Sequence, residues 1–388
     1  MSDVPAAVRE VDAALVRVDR STEFLRLVTP INTEQAWEDF DRSNFEREPR
    51  FVLPPLDVAP REALAALEAI PVAGVAHAGL QRIFGDHREQ LHRKLRMLES
   101  RNTPSFVVGS LEVFGGADPE LLRVAERVLE RVAPPSTQVS DEFVTANAFA
   151  RIARQELAHY RALYPEFPSG VEIDPNGSGL VVSHGRLRVG AGARISRSRV
   201  EALLAHEIGT HVVTYVNGKL QPIQLLSSGL AGYEELQEGL ASFAEYLVGG
   251  LKADRMRELA ARTVAVHLMI EGAGFVDIFR RLHTTLAFPP RKAFLISMRV
   301  LRGGGLTKDA IYLRGLSKLL SYLREEGDFE GLLLGKYALD QQPFIRQLRE
   351  EGLLRGAVVL PRHLAADGSL ARLARARFGI SMPDLVTS

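Results

Sequence analysis

The chain has 388 residues, of which 46% are hydrophobic and 25% charged, with 48 basic and 48 acidic side chains. This is the make-up of a globular protein of one large or two medium domains, and the balanced charge gives no reason to expect nucleic acid as a partner. Cysteine is absent, which excludes disulfide staples, thiolate metal sites and thiol nucleophiles, so any metal must be held by histidines and carboxylates.

Residues 1–20 mix acidic, basic and small residues without the charged head and apolar stretch of a signal peptide. No run approaches the roughly 18 apolar residues of a spanning helix. A cytoplasmic protein with no membrane association is therefore expected. Helical periodicity covers 8–27 and breaks at Thr29-Pro30-Ile31-Asn32; a second helix is expected from Glu34, and further ones over 61–68, 79–100 and 118–132. Pro134-Pro135 is the best-marked boundary. After a helix over 143–163, short β-branched runs at 171–173, 180–182 and 187–189 read as three strands, with Ser183-His184-Gly185 as a hairpin turn.

Ser198-Arg199-Val200-Glu201 has the form of a capping box, and the helix it opens is expected to stop at Asn217-Gly218. A loop containing Pro222, Gly229 and Gly232 leads to a helix over 233–248, and the remainder is mostly helical. There are no internal repeats or low-complexity tracts.

The helix after Ser198 carries His206-Glu207-Ile208-Gly209-Thr210-His211. It resembles the zincin signature, in which two histidines on one helix hold zinc and the intervening Glu acts as general base, but the histidines are one residue further apart. On an ideal helix a spacing of five leaves them roughly 140° out of register. A local widening at residues 208–210, eased by Gly209, would bring both imidazoles to one ion. The spacing alone leaves open a pair of core or capping histidines, although Glu207 in so apolar a helix needs a partner.

In the next helix Leu236, Leu240, Phe243 and Leu247 form an apolar stripe, opposite Glu234, Glu238, Ala241 and Glu245. A solvated acidic face is one reading. The other takes Glu238, beside the small Gly239, as a third ligand and Glu245 as a hydrogen-bond partner of a ligand imidazole.

Gln237-Glu238-Gly239-Leu240-Ala241, together with residues 206–211, resembles the QEGLA-motif family, whose bacterial members are named for modulating flavohaemoglobin expression and whose animal relatives include the microtubule-associated tyrosine carboxypeptidase. The similarity runs from Thr29-Pro30-Ile31-Asn32 through 299–315. It implies one zinc ion bound by His206, His211 and Glu238, with Glu207 as catalytic base. It also implies an α+β fold, mostly helical and zincin-like, with a small sheet beside the metal-binding helix. The domains would be an N-terminal helical region (1–134), a catalytic domain (135–330) and a C-terminal helical extension (331–388).

The implied activity is a zinc metallopeptidase of the carboxypeptidase type, acting on a peptide or protein C-terminus. The alternative is a non-catalytic zinc protein that uses the same pocket for regulation; an intact Glu207 favours the enzyme, because a structural site needs no base. Tyr233 is a candidate oxyanion donor, or an aromatic packed at a helix start. Arg194, Arg302 and Lys308 are candidates for holding a substrate carboxylate, the latter two flanking Gly303-Gly304-Gly305 in a loop expected to bind an anion. Surface solubility is the competing reading, and the one preferred for Arg188, Arg197 and Arg199.

Overall fold

The computed structural model describes residues 4–134, 142–175, 177 and 179–387. Its chain forms two compact units: unit 1 comprises Met1–Asp12, Pro135–Lys252 and Gly315–Ser388, and unit 2 comprises Ala13–Pro134 and Ala253–Arg314. Most described residues are helical, as expected, and two small sheets complete an α+β protein. Among the described residues no helix is long and apolar enough to cross a membrane.

Unit 2 is helical. Pro119–Arg131 begins with proline after Asp118, whose carboxylate accepts from Leu121 N at 2.8 Å and so satisfies one free amide of the first turn. This helix packs along Ala253–Ile270. Phe40, Phe45, Phe275, Phe279 and Phe294 form an aromatic cluster of edge-to-face and tilted pairs that fixes Thr33–Arg42 against Phe275–Arg280 and Pro290–Leu301.

Unit 1 contains both sheets. Strands β1 (Phe143–Thr145), β2 (Gly170–Asp174), β3 (Leu180–Ser183), β4 (Arg186–Gly190) and β5 (Arg194–Ser196) pair as β1–β5, antiparallel, and as β2–β4–β3, with β2 parallel and β3 antiparallel to β4. The expected hairpin joins β3 to β4, with His184 and Gly185 both at positive φ. Along β4, Leu187 and Val189 point inward and Arg186 and Arg188 outward, the period of two that a one-sided sheet requires. The inward residues meet Phe149, Ala150 and Leu157 of Ala146–Leu163 and Ile208, Val212, Val213 and Val216 of the histidine helix in one apolar core. The sheet thus lies beside the histidine helix.

Three local expectations are corrected. Residues 143–145 are a strand; the helix starts after them, capped by Thr145, whose hydroxyl accepts from Ala148 N at 3.3 Å. Ser198 forms no capping box: its hydroxyl bonds to that of Ser196, and residues 197–199 make a tight turn before Val200. The histidine helix also runs through Asn217-Gly218 to Lys219. The Asn217 amide is buried and donates to Leu333 O and Val359 O while accepting from Val358 N and Val359 N. Gly218 is there because a Cβ would come within 2.1 Å of Leu226 O. Tertiary contact therefore overrides a pair of residues that ordinarily ends helices.

Candidate metal centre

The histidine helix has three parts: α-helical Val200–His206, π-helical Glu207–Val212 and α-helical Val213–Lys219. The extra residue in the wide turn supplies the missing rotation, and the His206 and His211 rings lie 5.0 Å apart, nearly perpendicular. Thr210 donates its hydroxyl to Ala205 O, five residues back, which accommodates one carbonyl displaced by the widening. Gly209 leaves room for His363, whose ring a Cβ would meet at 3.0 Å. A larger side chain at 209 would therefore press on the His363 ring.

Glu238 is brought to the histidines by Tyr233–Leu247. Gly239 lets the backbone of residues 315–316 cross this helix: a Cβ would lie 2.5 Å from Gly315 C, and a Cβ on Gly315 would lie 2.0 Å from Glu235 O. The two glycines are a mutual requirement of one close crossing. As a result Glu238 Oε2 lies 3.8 Å from His206 Nε2 and 3.8 Å from His211 Nε2. The ligand atoms of His206, His211 and Glu238 all fall within 4.8 Å of one another. Glu207 is buried in the π turn, and its charge acts on His206.

Each imidazole is held by its other nitrogen. His206 Nδ1 donates to Glu245 Oε1 at 2.9 Å; Glu245 is fully buried and also pairs with Arg199 Nη1 at 2.8 Å. Burial pushes the His206 pKa down, but the Glu245 bond and the charges of Glu207, Glu245 and Glu238 outweigh it and hold it above the usual range. His211 Nδ1 makes a long 3.5 Å contact with Gln237 Oε1, which also accepts from Thr214 Oγ1 at 2.8 Å. Burial, opposed by Glu238 and reinforced by His206 and Lys336, lowers the His211 pKa to about 3, so this ring stays neutral. Both Nε2 atoms face Glu238, and the other nitrogen of each ring meets a side-chain oxygen, the arrangement that metal-bound histidines have. Two imidazoles and a carboxylate, without thiolate, suit zinc and other divalent ions of borderline character.

The remaining candidates are placed as follows. Tyr233 opens the Glu238 helix, its ring lying over Gly229, where a Cβ would be 2.2 Å away. Arg194 is exposed on β5, its guanidinium 4.8 Å from the Phe143 ring centroid. Arg302 and Lys308 are buried members of unit 2. Arg188 and Arg197 are surface residues, as expected, paired with Asp174 and Glu142. Arg199 is not: its side chain is 15% exposed and locked to Glu245. Glu245 likewise belongs to no solvated face.

Two further residues escaped the sequence reading. Gln237 precedes Glu238 and steadies His211, a role visible only once Thr214 is seen to fix its amide. Lys336 has its Nζ 5.8 Å from the Tyr215 ring centroid and 5.9 Å from that of Tyr233, and its charge acts on His211. Its backbone is pinned on both sides, N donating to Leu226 O and O accepting from Leu230 N. Nothing local in Gly335-Lys336-Tyr337 signals this position.

Comparison with known proteins identifies the family. Residues 38–381 match the family model described as microtubule-associated tyrosine carboxypeptidase. Microtubule-associated tyrosine carboxypeptidase 1 of Mus musculus is 31% identical over 170 residues, which are 40% of this chain and 34% of the mouse protein. The alignment thus spans about a third of that relative. Since the family model covers most of the chain, including the histidine pair, Glu238 and their supporting residues, this protein belongs to the microtubule-associated tyrosine carboxypeptidase family.

Proposed function

We propose that the chain is a zinc-dependent peptidase of the carboxypeptidase type, working in the cytoplasm on a peptide or protein C-terminus. The observation that carries this reading is the convergence of His206, His211 and Glu238 around one point, with Glu207 buried in the same turn.

His206, His211 and Glu238 would hold the ion, which when bound would supply Lewis-acid activation of water and of the scissile carbonyl. Glu207 takes the proton from the attacking water and returns it to the leaving amine. Glu245 with Arg199 orients His206, and Gln237 with Thr214 orients His211, so that neither ring turns away from the ion. Tyr233 donates its hydroxyl to the developing oxyanion. Lys336, between Tyr215 and Tyr233 and within electrostatic reach of His211, takes the substrate's terminal carboxylate in place of Arg194, Arg302 or Lys308.

The test is release of C-terminal residues from a mixed peptide library, followed by mass spectrometry, for wild type and Glu207→Gln. Single-residue release by wild type, reduced at least 100-fold in Glu207→Gln with the bound metal retained, is the expected result. Metal binding without any release would instead favour the regulatory alternative.

A further inference from the structure

A π turn is rare, and a helix that keeps this register needs support from outside itself. In the ordinary α register a spacing of five would leave His206 and His211 roughly 140° apart. Whatever holds the wide turn therefore decides whether both rings reach Glu238. Residues 355–372, far beyond the ligands in sequence but in the same compact unit, run along the histidine helix from its end toward that turn.

The contacts follow one another in chain order. Just past the helix end, the buried Gln221 side chain accepts from Arg355 N at 2.9 Å and donates to Arg355 O at 3.2 Å. Within the last turn, the Asn217 amide accepts from Val358 N and Val359 N and donates to Val359 O. The Val359 side chain joins the apolar core that contains Ile208, Val212 and Val216. Pro361 and His363 then reach Gly209 in the wide turn itself, where a Cβ would meet His363 Cε1 at 3.0 Å and Nδ1 at 3.1 Å.

The short turn that presents His363 is fixed in its own right. Arg362 N donates to the hydroxyl of the buried Tyr160 at 2.9 Å, and Tyr164 donates its hydroxyl to Val358 O at 2.7 Å. Burial brings the His363 pKa down to about 4, so at neutral pH an uncharged ring lies on Gly209. The helix that follows, Asp367–Gly379, docks on the other ligand-bearing helix: Ser369 Oγ and Arg372 Nη1 each donate at 3.0 Å to the carbonyl of Leu247, the last residue of Tyr233–Leu247.

We propose that residues 355–372 are a splint that joins the two ligand-bearing helices and keeps the histidine helix in the wide register, with His363 as the positioning residue that packs on Gly209. Without that ring a space opens beside Gly209 into which the turn can tighten, and His211 then rotates away from Glu238. The inference rests on the reading of His206, His211 and Glu238 as a metal centre, so its test has one readout with metal and one without.

The full chain is compared with its His363→Ala and His363→Phe variants. Zinc affinity, measured by competition with a chromophoric chelator, is expected to fall about tenfold or more in His363→Ala and to stay within about threefold of wild type in His363→Phe, which refills the space without a nitrogen. In the metal-free proteins, amide exchange of residues 207–214 followed by mass spectrometry should quicken about tenfold in His363→Ala, while that of 186–190 stays as in wild type. Zinc held as tightly by His363→Ala as by wild type, unaltered exchange at 207–214, or no recovery in His363→Phe overturns the proposal. A wild-type chain that takes up no zinc, with exchange still quickened in His363→Ala, instead sinks the metal reading and with it the purpose assigned to the splint.

Discussion

Glu245 offers the sharpest test of how the centre is held. Its carboxylate is fully buried, accepts from His206 Nδ1 at 2.9 Å and pairs with Arg199 at 2.8 Å. Glu245→Gln keeps the shape and an acceptor oxygen but removes the charge that aligns and polarises the ring. Loss of such a partner costs metal affinity about 10–100-fold, or about 1.4–2.8 kcal/mol, and the conserved acceptor places this variant near the lower limit. Glu245→Ala goes further, because Arg199, only 15% exposed, is left without its carboxylate. Breaking a buried pair in this way destabilises by about 3–5 kcal/mol, and the residual exposure of Arg199 favours about 3. Zinc affinity measured by competition with a chromophoric chelator, together with urea unfolding of the metal-free protein, separates the two effects. Affinity unchanged within threefold in both variants would refute the orienting role, and an unchanged urea midpoint in Glu245→Ala would refute the buried pair.

Further outcomes follow from other contacts. Asn217→Ala removes four buried hydrogen bonds to and from Leu333, Val358 and Val359 and should lower unfolding free energy by about 3 kcal/mol or more. Urea denaturation reads this directly. Asp12 is buried, and desolvation, opposed by bonds from Gln224 N and Leu225 N, raises its pKa from 3.8 to about 6. The folded state then holds this proton over a range where the unfolded state has lost it. The associated stability is present below pH 3.8 and lost as pH rises through 6, about 3 kcal/mol in all, so the stability of wild type relative to Asp12→Asn should fall across that window and level off above it. Lys336→Met should abolish any preference for free over amidated C-termini, mainly through KM and with zinc content unchanged; a preserved preference would remove Lys336 from substrate binding.

The parts of the site legible in sequence were those encoded by short-range pattern. If both rings are to meet one ion, the five-residue interval between His206 and His211 requires a wide turn near Gly209, and the π-helical segment spans 207–212. The short β-branched runs at 171–173, 180–182 and 187–189 and the turn at Ser183-His184-Gly185 marked three strands and the β3–β4 hairpin, because strand propensity and turn chemistry agree there; the parallel pairing of β2 with β4 was not marked. What could not be read locally were the effects of distant packing. Asn217-Gly218 looks like a helix end until residues 333 and 358–359 supply its partners. Arg199 looks like a surface cation until Glu245, nearly fifty residues later, is placed against it. Lys336 carries no motif at all and gains its position from two backbone bonds to the loop before Tyr233.

The central claim is that His206, His211 and Glu238 together bind one zinc ion, and the most direct test is metal content per chain after purification and dialysis against zinc-buffered solution. Close to one zinc per wild-type chain, falling below about a tenth in His206→Ala, His211→Ala and Glu238→Ala while Glu207→Gln stays loaded, is the result predicted. A wild-type chain that takes up no zinc, or ligand variants that stay as fully loaded as wild type, would contradict the account.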